Sequence, residues 1–167
     1  MLRRWIDAIR RNHGLEHATV TVLLARPGPL RLAGRASGDG FFILGAVDEQ
    51  LLLSCAREGL ARLQRGEAGL AISPLCGTNI AVTGALTAAT TMAVLARDRH
   101  RATRDRFGNA FVASMFAVVA AQPLGRLVQR YLTTRADLDG VELVGVRTLL
   151  PGVRKVYTRA LPAPPAR

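Results

Sequence analysis

At 167 residues the chain has the length of one domain with a modest core. Its formal net charge of +11 comes from 22 Arg and the single Lys155 against 12 acidic residues, yet aromatics make up only 5% of the chain. That balance argues against a module that stacks bases on a basic-aromatic surface, so no nucleic-acid partner is expected. Two cysteines, Cys55 and Cys76, exclude a disulfide-stapled scaffold.

The N-terminal stretch MLRRWIDAIRRNHG carries basic residues with no apolar run behind them, and no cleaved export signal is expected. Leu2, Trp5, Ile6 and Ile9 share one helical face, and Arg3, Arg4, Arg10 and Arg11 the other. The pattern suits a helix at a membrane interface, and equally one docked on a soluble core.

Within NHGLEHAT, residues 12–19, His13 and His17 stand four apart. On a helix they lie about 40° apart in projection, with Glu16 about 60° from His13 on the other side. Two imidazoles at i and i+4 can reach one zinc ion, which would still need a third protein ligand and an open position. Bound water at such an ion has a pKa near ~7, and a neighbouring carboxylate can take its proton. His-x-x-Glu-His is the inverted metalloprotease pattern, with the histidines as ligands and Glu16 as general base. The alternative is an interfacial helix with two incidental histidines. Gly14 weakens that helix by about 1 kcal/mol relative to alanine.

LRLAGRASGDGFFILGAV predicts two strands joined at Ser37-Gly38-Asp39-Gly40. Asp48 then caps a helix to about Arg65, with Leu52, Ala56, Leu60 and Leu63 inward and Gly66 past its end. LAIS, residues 70–73, reads as a short strand. Cys76, in SPLCGTN, follows a Pro74 turn. It serves equally well as the third zinc ligand or as a buried small side chain beside a helix capped by Thr78 or Asn79. Cys55 falls on an apolar helical face and reads as core. Glu49 and Glu58 are carboxylate alternatives on a solvated face. His100, in a charged tip, should not join the site.

No charged residue occurs from Ala68 to Ala96 or from Phe107 to Gly125. As helices, residues 80–96 and 107–125 span about 26 and 28 Å, close to a ~30 Å hydrocarbon core. Ala81, Ala85, Ala89 and Ala93, and then Ala113, Ala117 and Ala121, recur every four positions. Such stripes predict close helix–helix approach in a bilayer, although a buried soluble hairpin would show them too. The connection RDRHRATRDR suits an exposed tip. VELVGVRTLL, a Pro151-Gly152 turn and VRKVYTRA predict a second β-hairpin, followed by a disordered LPAPPAR tail.

His13-Gly14-x-Glu16-His17 followed by Cys76-Gly77-Thr78 ahead of an apolar hairpin resembles an uncharacterised bacterial membrane-protein family of unknown function. That family shares His-Gly-x-Glu-His and Cys-Gly-Thr motifs and is related to predicted metal-dependent membrane enzymes. The phrases NHGLEHATV, GLARLQRGEAGLAIS and CGTNI carry the resemblance over most of residues 10 to 96. It implies a metal site at His13, His17 and Cys76, with Glu16 acting or coordinating. The family often has histidine before the proline of the second motif, where this chain has Ser73.

The expected fold class is α+β: a small mixed domain of two β-hairpins and amphipathic helices, interrupted by a two-helix transmembrane hairpin. The expected boundaries are 1–75 for the N-terminal part, 76–126 for the hairpin, 127–160 for a C-terminal helix and β-hairpin, and 161–167 for the tail. The expected function is a zinc-dependent hydrolase with the lipid bilayer as partner; the alternative is a non-catalytic membrane scaffold or binding module with a structural metal. A protein partner or a second copy is compatible with the small-residue stripes. Two cysteines without a disulfide framework and no export signal favour a multi-pass protein of the cell membrane with its α+β domain on the cytoplasmic side.

Overall fold

A computed structural model describes residues 1–27 and 31–161. The fold is α+β. Its helices are α1 (Leu2–Leu24), α2 (Glu49–Gln64), α3 (Gly77–Arg97) and α4 (Thr103–Val128). Its strands are β1 (Ala33–Ser37), β2 (Gly40–Leu44), β3 (Val141–Leu150) and β4 (Val153–Ala160). Leu30, where the sequence begins the first strand, lies outside the described residues. The chain divides into two compact units, Met1–Ser73 with Arg130–Arg167, and the inserted segment Pro74–Gln129. The inserted unit is wider than 76–126 because α4 runs past Gly125 and into a π-helical turn, Gln129–Thr133, where a separate C-terminal helix was expected.

In the first unit the two β-hairpins merge. β2 pairs with β4, so the antiparallel sheet runs β1-β2-β4-β3. Alternation along GFFIL explains the pairing: Phe41 and Ile43 are fully buried, and Val156 lies opposite Phe41. Phe42 and its partner Lys155 face the other way, with the Lys155 ammonium 4.9 Å from the Phe42 ring and 4.7 Å from that of Tyr157. Lys155 also donates to Asp39 at 2.7 Å. That bond, with a second from Ser37, holds the Asp39 carboxyl below its ordinary range.

Asp48 caps α2 by accepting from the backbone N–H groups of Gln50 and Leu51. At the other end Gly66 adopts φ +92°, while Glu67 N–H reaches Arg62 O and Gly66 N–H reaches Leu63 O. This paired closure satisfies the last carbonyls of the helix. Leu52, Cys55, Ala56, Leu60 and Leu63 are buried in a core shared with Leu15, Ala18 and Val22 of α1. At Gly59 the helices come so close that a Cβ would sit 3.1 Å from the Thr19 backbone nitrogen. The short strand expected at residues 70–73 is absent. Ala68–Ala71 instead form a 3-10 turn, a shape that the small residues AGLA permit and that their apolar run alone did not reveal. Of the tail expected to be disordered, residues 162–167 lie outside the described residues. Leu161 is tied down by an N–H bond to Gly140 O.

The second unit is a helical hairpin. At its tip Asp98 closes α3 and accepts from Asn109 at 2.6 Å, with Arg101 3.4 Å away. On α4, Ala110, Ala117, Ala121 and Gly125 are buried. The expected stripe on α3 is a correction: Ala81, Ala85, Ala89 and Ala93 are all exposed. α3 turns its threonine-bearing face inward instead, and Thr91 Oγ1 lies 2.9 Å from Ser114 Oγ. Thr91 finds a partner across the helix contact, while Thr87 Oγ1 is buried without one among the described residues. Both helices are long and apolar enough to cross a membrane, and only 6% and 17% of their most apolar windows are buried.

Candidate metal centre

The first unit brings His13 and His17 together, and Gly14 between them explains how. The chain returning from the inserted hairpin runs directly over α1: Arg135 N–H bonds Arg10 O at 2.9 Å, and a Cβ at Gly14 would collide with the Arg135 carbonyl. Glycine costs helix stability and permits this approach. The approach delivers the Thr133 carbonyl to His13, whose Nδ1 donates to it at 2.9 Å. One turn on, His17 Nδ1 donates to the Ala71 carbonyl at 2.8 Å. The ring centroids are 4.5 Å apart with an interplanar angle of 62°.

A carbonyl oxygen only accepts, so each Nδ1 carries a proton. In the neutral imidazole that leaves the lone pair on Nε2, the nitrogen a metal would take. His17 is buried at 4% exposure and His13 is half-buried. The two acceptors flank the insertion: Ala71 precedes its start at Pro74 by three residues, and Thr133 follows its end at Gln129 by four. A cavity of about 380 Å³ is lined by residues of these same two segments, including Ala71, Ile72, Arg130 and Thr134.

Glu16 is buried at 7% exposure and lies over β1, where Gly34 makes room; a Cβ there would overlap its carboxylate. Cys76 belongs to the second unit, at the N-cap of α3, and its sulfur accepts from Thr78 N–H at 3.4 Å. The cap is therefore the cysteine itself, rather than Thr78 or Asn79. Asn79 instead packs on Gly125, bonds Pro74 O, and accepts from Gln129 Nε2 at 3.2 Å. The first amides of a helix favour negative charge, the form in which sulfur binds metal.

Cys55 is fully buried in the core. Glu58 pairs with Arg26 at 2.8 Å, and Glu49 accepts from Thr148, both at the solvated surface. His100 accepts from Arg99 at the hairpin tip. Sequence reasoning passed over Asn12. Its amide donates to Ser37 O at 2.8 Å and its oxygen accepts from Thr158 Oγ1 at 2.7 Å, pinning α1 to both β-hairpins just before His13. A buried asparagine is a poor helix former, and that was its one signal.

Residues 8–146 match the family described as Domain of unknown function (DUF6391). An uncharacterized protein of Picosynechococcus sp. (strain ATCC 27264 / PCC 7002 / PR-6) is 36% identical over 140 residues, covering 78% of this chain and 68% of that protein. No solved structure matches.

Proposed function

Since the chain belongs to the DUF6391 family, whose description carries no activity, we propose from its own residues that it is an integral membrane protein with a zinc-dependent hydrolytic centre. In this reading α3 and α4 cross the bilayer. Helices apolar all round and left open to their surroundings are disfavoured in water and matched to lipid. Neither cysteine is in a disulfide, which fits a first unit on the reducing, cytoplasmic side.

The metal reading rests on one observation: both imidazoles spend Nδ1 on a backbone carbonyl. That second contact is the one metal-binding histidines characteristically make, because it fixes the tautomer and the ring. Two imidazole nitrogens and a thiolate, from His13, His17 and Cys76, would be donor types suited to zinc. The chain supports enlisting Cys76: it lies five residues beyond Ala71, whose carbonyl orients His17. Bound zinc supplies a Lewis acid at neutral pH. Glu16 is the residue proposed to hold the proton, as general base, on the strength of the His-x-x-Glu-His pattern. Arg130 gives the nearby cavity a cation for a polarised ester, amide or phosphoester. A peptide or lipid-derived bond near the membrane is the substrate class proposed.

Glu16's position over Gly34 favours a second reading, in which the carboxylate is structural and the protein is a scaffold with a structural metal. Metal content and hydrolysis separate the two. The full chain in detergent should carry one zinc, lost in His13→Ala/His17→Ala and in Cys76→Ser and kept in Glu16→Gln. Unchanged metal in the double histidine variant ends both metal readings. Zinc held by four protein ligands with no open position supports the scaffold.

A further inference from the structure

We infer that the hairpin tip holds one anionic phospholipid, with an acyl chain in the groove between α3 and α4 and the phosphate at Arg106. The inference rests on the membrane reading above. The groove has a volume of about 440 Å³; Leu95, Phe107, Ala110 and Phe111 give it an apolar wall, and hydroxyls and Arg106 stand at its ends and mouth. Its inner end is closed by the Thr91–Ser114 hydrogen bond. From Arg106 to Ser114 it runs about 12 Å along the helix at 1.5 Å per residue. That falls a little short of one leaflet of a ~30 Å hydrocarbon core, room for the upper part of one acyl chain.

Charge complementarity selects the headgroup. Arg106 lines the mouth, and its Nε is buried without a hydrogen-bond acceptor among the described residues. Residues 97–106 carry five Arg against Asp98 and Asp105. Asp98 is already engaged by Asn109 and Arg101. Arg104 and Arg106 also sit in the first turn of α4 on either side of Asp105, where cations oppose the helix dipole and no side chain caps the helix. A phosphate at this point would satisfy the guanidinium, offset the net positive charge of residues 97–106 and leave its chain lying on Phe107 and Phe111. A neutral headgroup would do only the last of these.

The test is native mass spectrometry of the full chain in detergent, titrated with phosphatidylglycerol or phosphatidylcholine of matched chains. Phosphatidylglycerol should bind about fivefold or more tightly, the worth of one arginine at an anionic surface. Arg106→Gln should abolish that preference, whereas Arg97→Gln, on the same tip outside the groove, should keep it. Leu95→Trp, which fills the groove, should weaken both lipids. Glycerophosphoglycerol without acyl chains should not compete. Equal binding of the two lipids, or equal effects of the two arginine variants, overturns the inference, as does effective competition by the bare headgroup. Extraction of the chain from membranes by alkaline carbonate overturns the membrane reading with it; a carbonate-resistant chain without lipid preference overturns this inference alone.

Discussion

Replacing Gly14 with alanine sets two physical expectations against each other. Helix propensity alone makes the change stabilising by about 1 kcal/mol. The structure reverses the sign. The new Cβ would meet the Arg135 carbonyl, which is backbone and has no rotamer to move, and would stand 3.2 Å from the Ala71 Cβ. Overpacking of this kind costs about 1–3 kcal/mol. Displacing the returning chain also endangers the Arg135–Arg10 and His13–Thr133 hydrogen bonds, at about 1 kcal/mol each. With both bonds lost and the propensity gain subtracted, Gly14→Ala should destabilise the first unit by about 2–4 kcal/mol. A denaturant midpoint of the full chain in detergent reads that loss. Nitrogen NMR of His13 should show the Nδ1–H tautomer weakened as well. A variant as stable as the parent, with His13 unchanged, would refute the close approach as the reason for glycine.

Asn12→Ala should cost about 1–3 kcal/mol in the same unfolding assay, because it strips partners from Ser37 O and from Thr158 Oγ1 at the junction of both β-hairpins. Ala117→Leu should overpack the α3–α4 contact and lower the thermal midpoint of the detergent-solubilised chain, whereas Ala85→Leu, on the exposed face of α3, should leave it within error. Asp39 is an acid whose folded-state pKa is lowered, so its bond to Lys155 stabilises fully above the ordinary value of 3.8 and is lost as pH falls through the lowered one. The carboxylate is largely exposed and screened, so Asp39→Asn should remove only a few tenths to about 1 kcal/mol at pH 7, and progressively less as pH falls below 3.8.

Local chemistry made much of the first unit legible. Phe41 and Ile43 alternate with Phe42, Asp48 offers a cap oxygen, and Gly66 and the Pro151-Gly152 turn end their elements where expected. The join of the two β-hairpins was not legible, because Gly40 pairs with Tyr157 across most of the chain and no nearby residue encodes that register. In the same way Gly14 could be recognised as a weak point of its helix, while its cause is a carbonyl at Arg135. Period-four alanines were visible on both apolar helices. The face that meets its neighbour on α3 carries threonines, which the alanine count ignored. At the candidate site the spacing of His13 and His17 was legible. The carbonyls that fix their tautomers were not, since they come from residues 71 and 133.

The placement of those two carbonyls bears on what the histidines are for. An insertion of 56 residues, Pro74–Gln129, must leave and re-enter the first unit, and each crossing strand leaves backbone groups that need partners. His17 satisfies the outgoing strand at Ala71 and His13 the returning one at Thr133. Two serines or asparagines would also satisfy bare carbonyls, by donating one hydrogen each. Imidazole differs in having a second nitrogen on the far side of the ring, made basic by the first bond. A pair of such rings 4.5 Å apart holds both carbonyls, and under the metal reading proposed above the second nitrogens would be the ligand atoms. The clamp alone explains burial and hydrogen bonding. It does not explain why both positions carry the one side chain that can clamp and ligate together, and that surplus is the physical case for a metal.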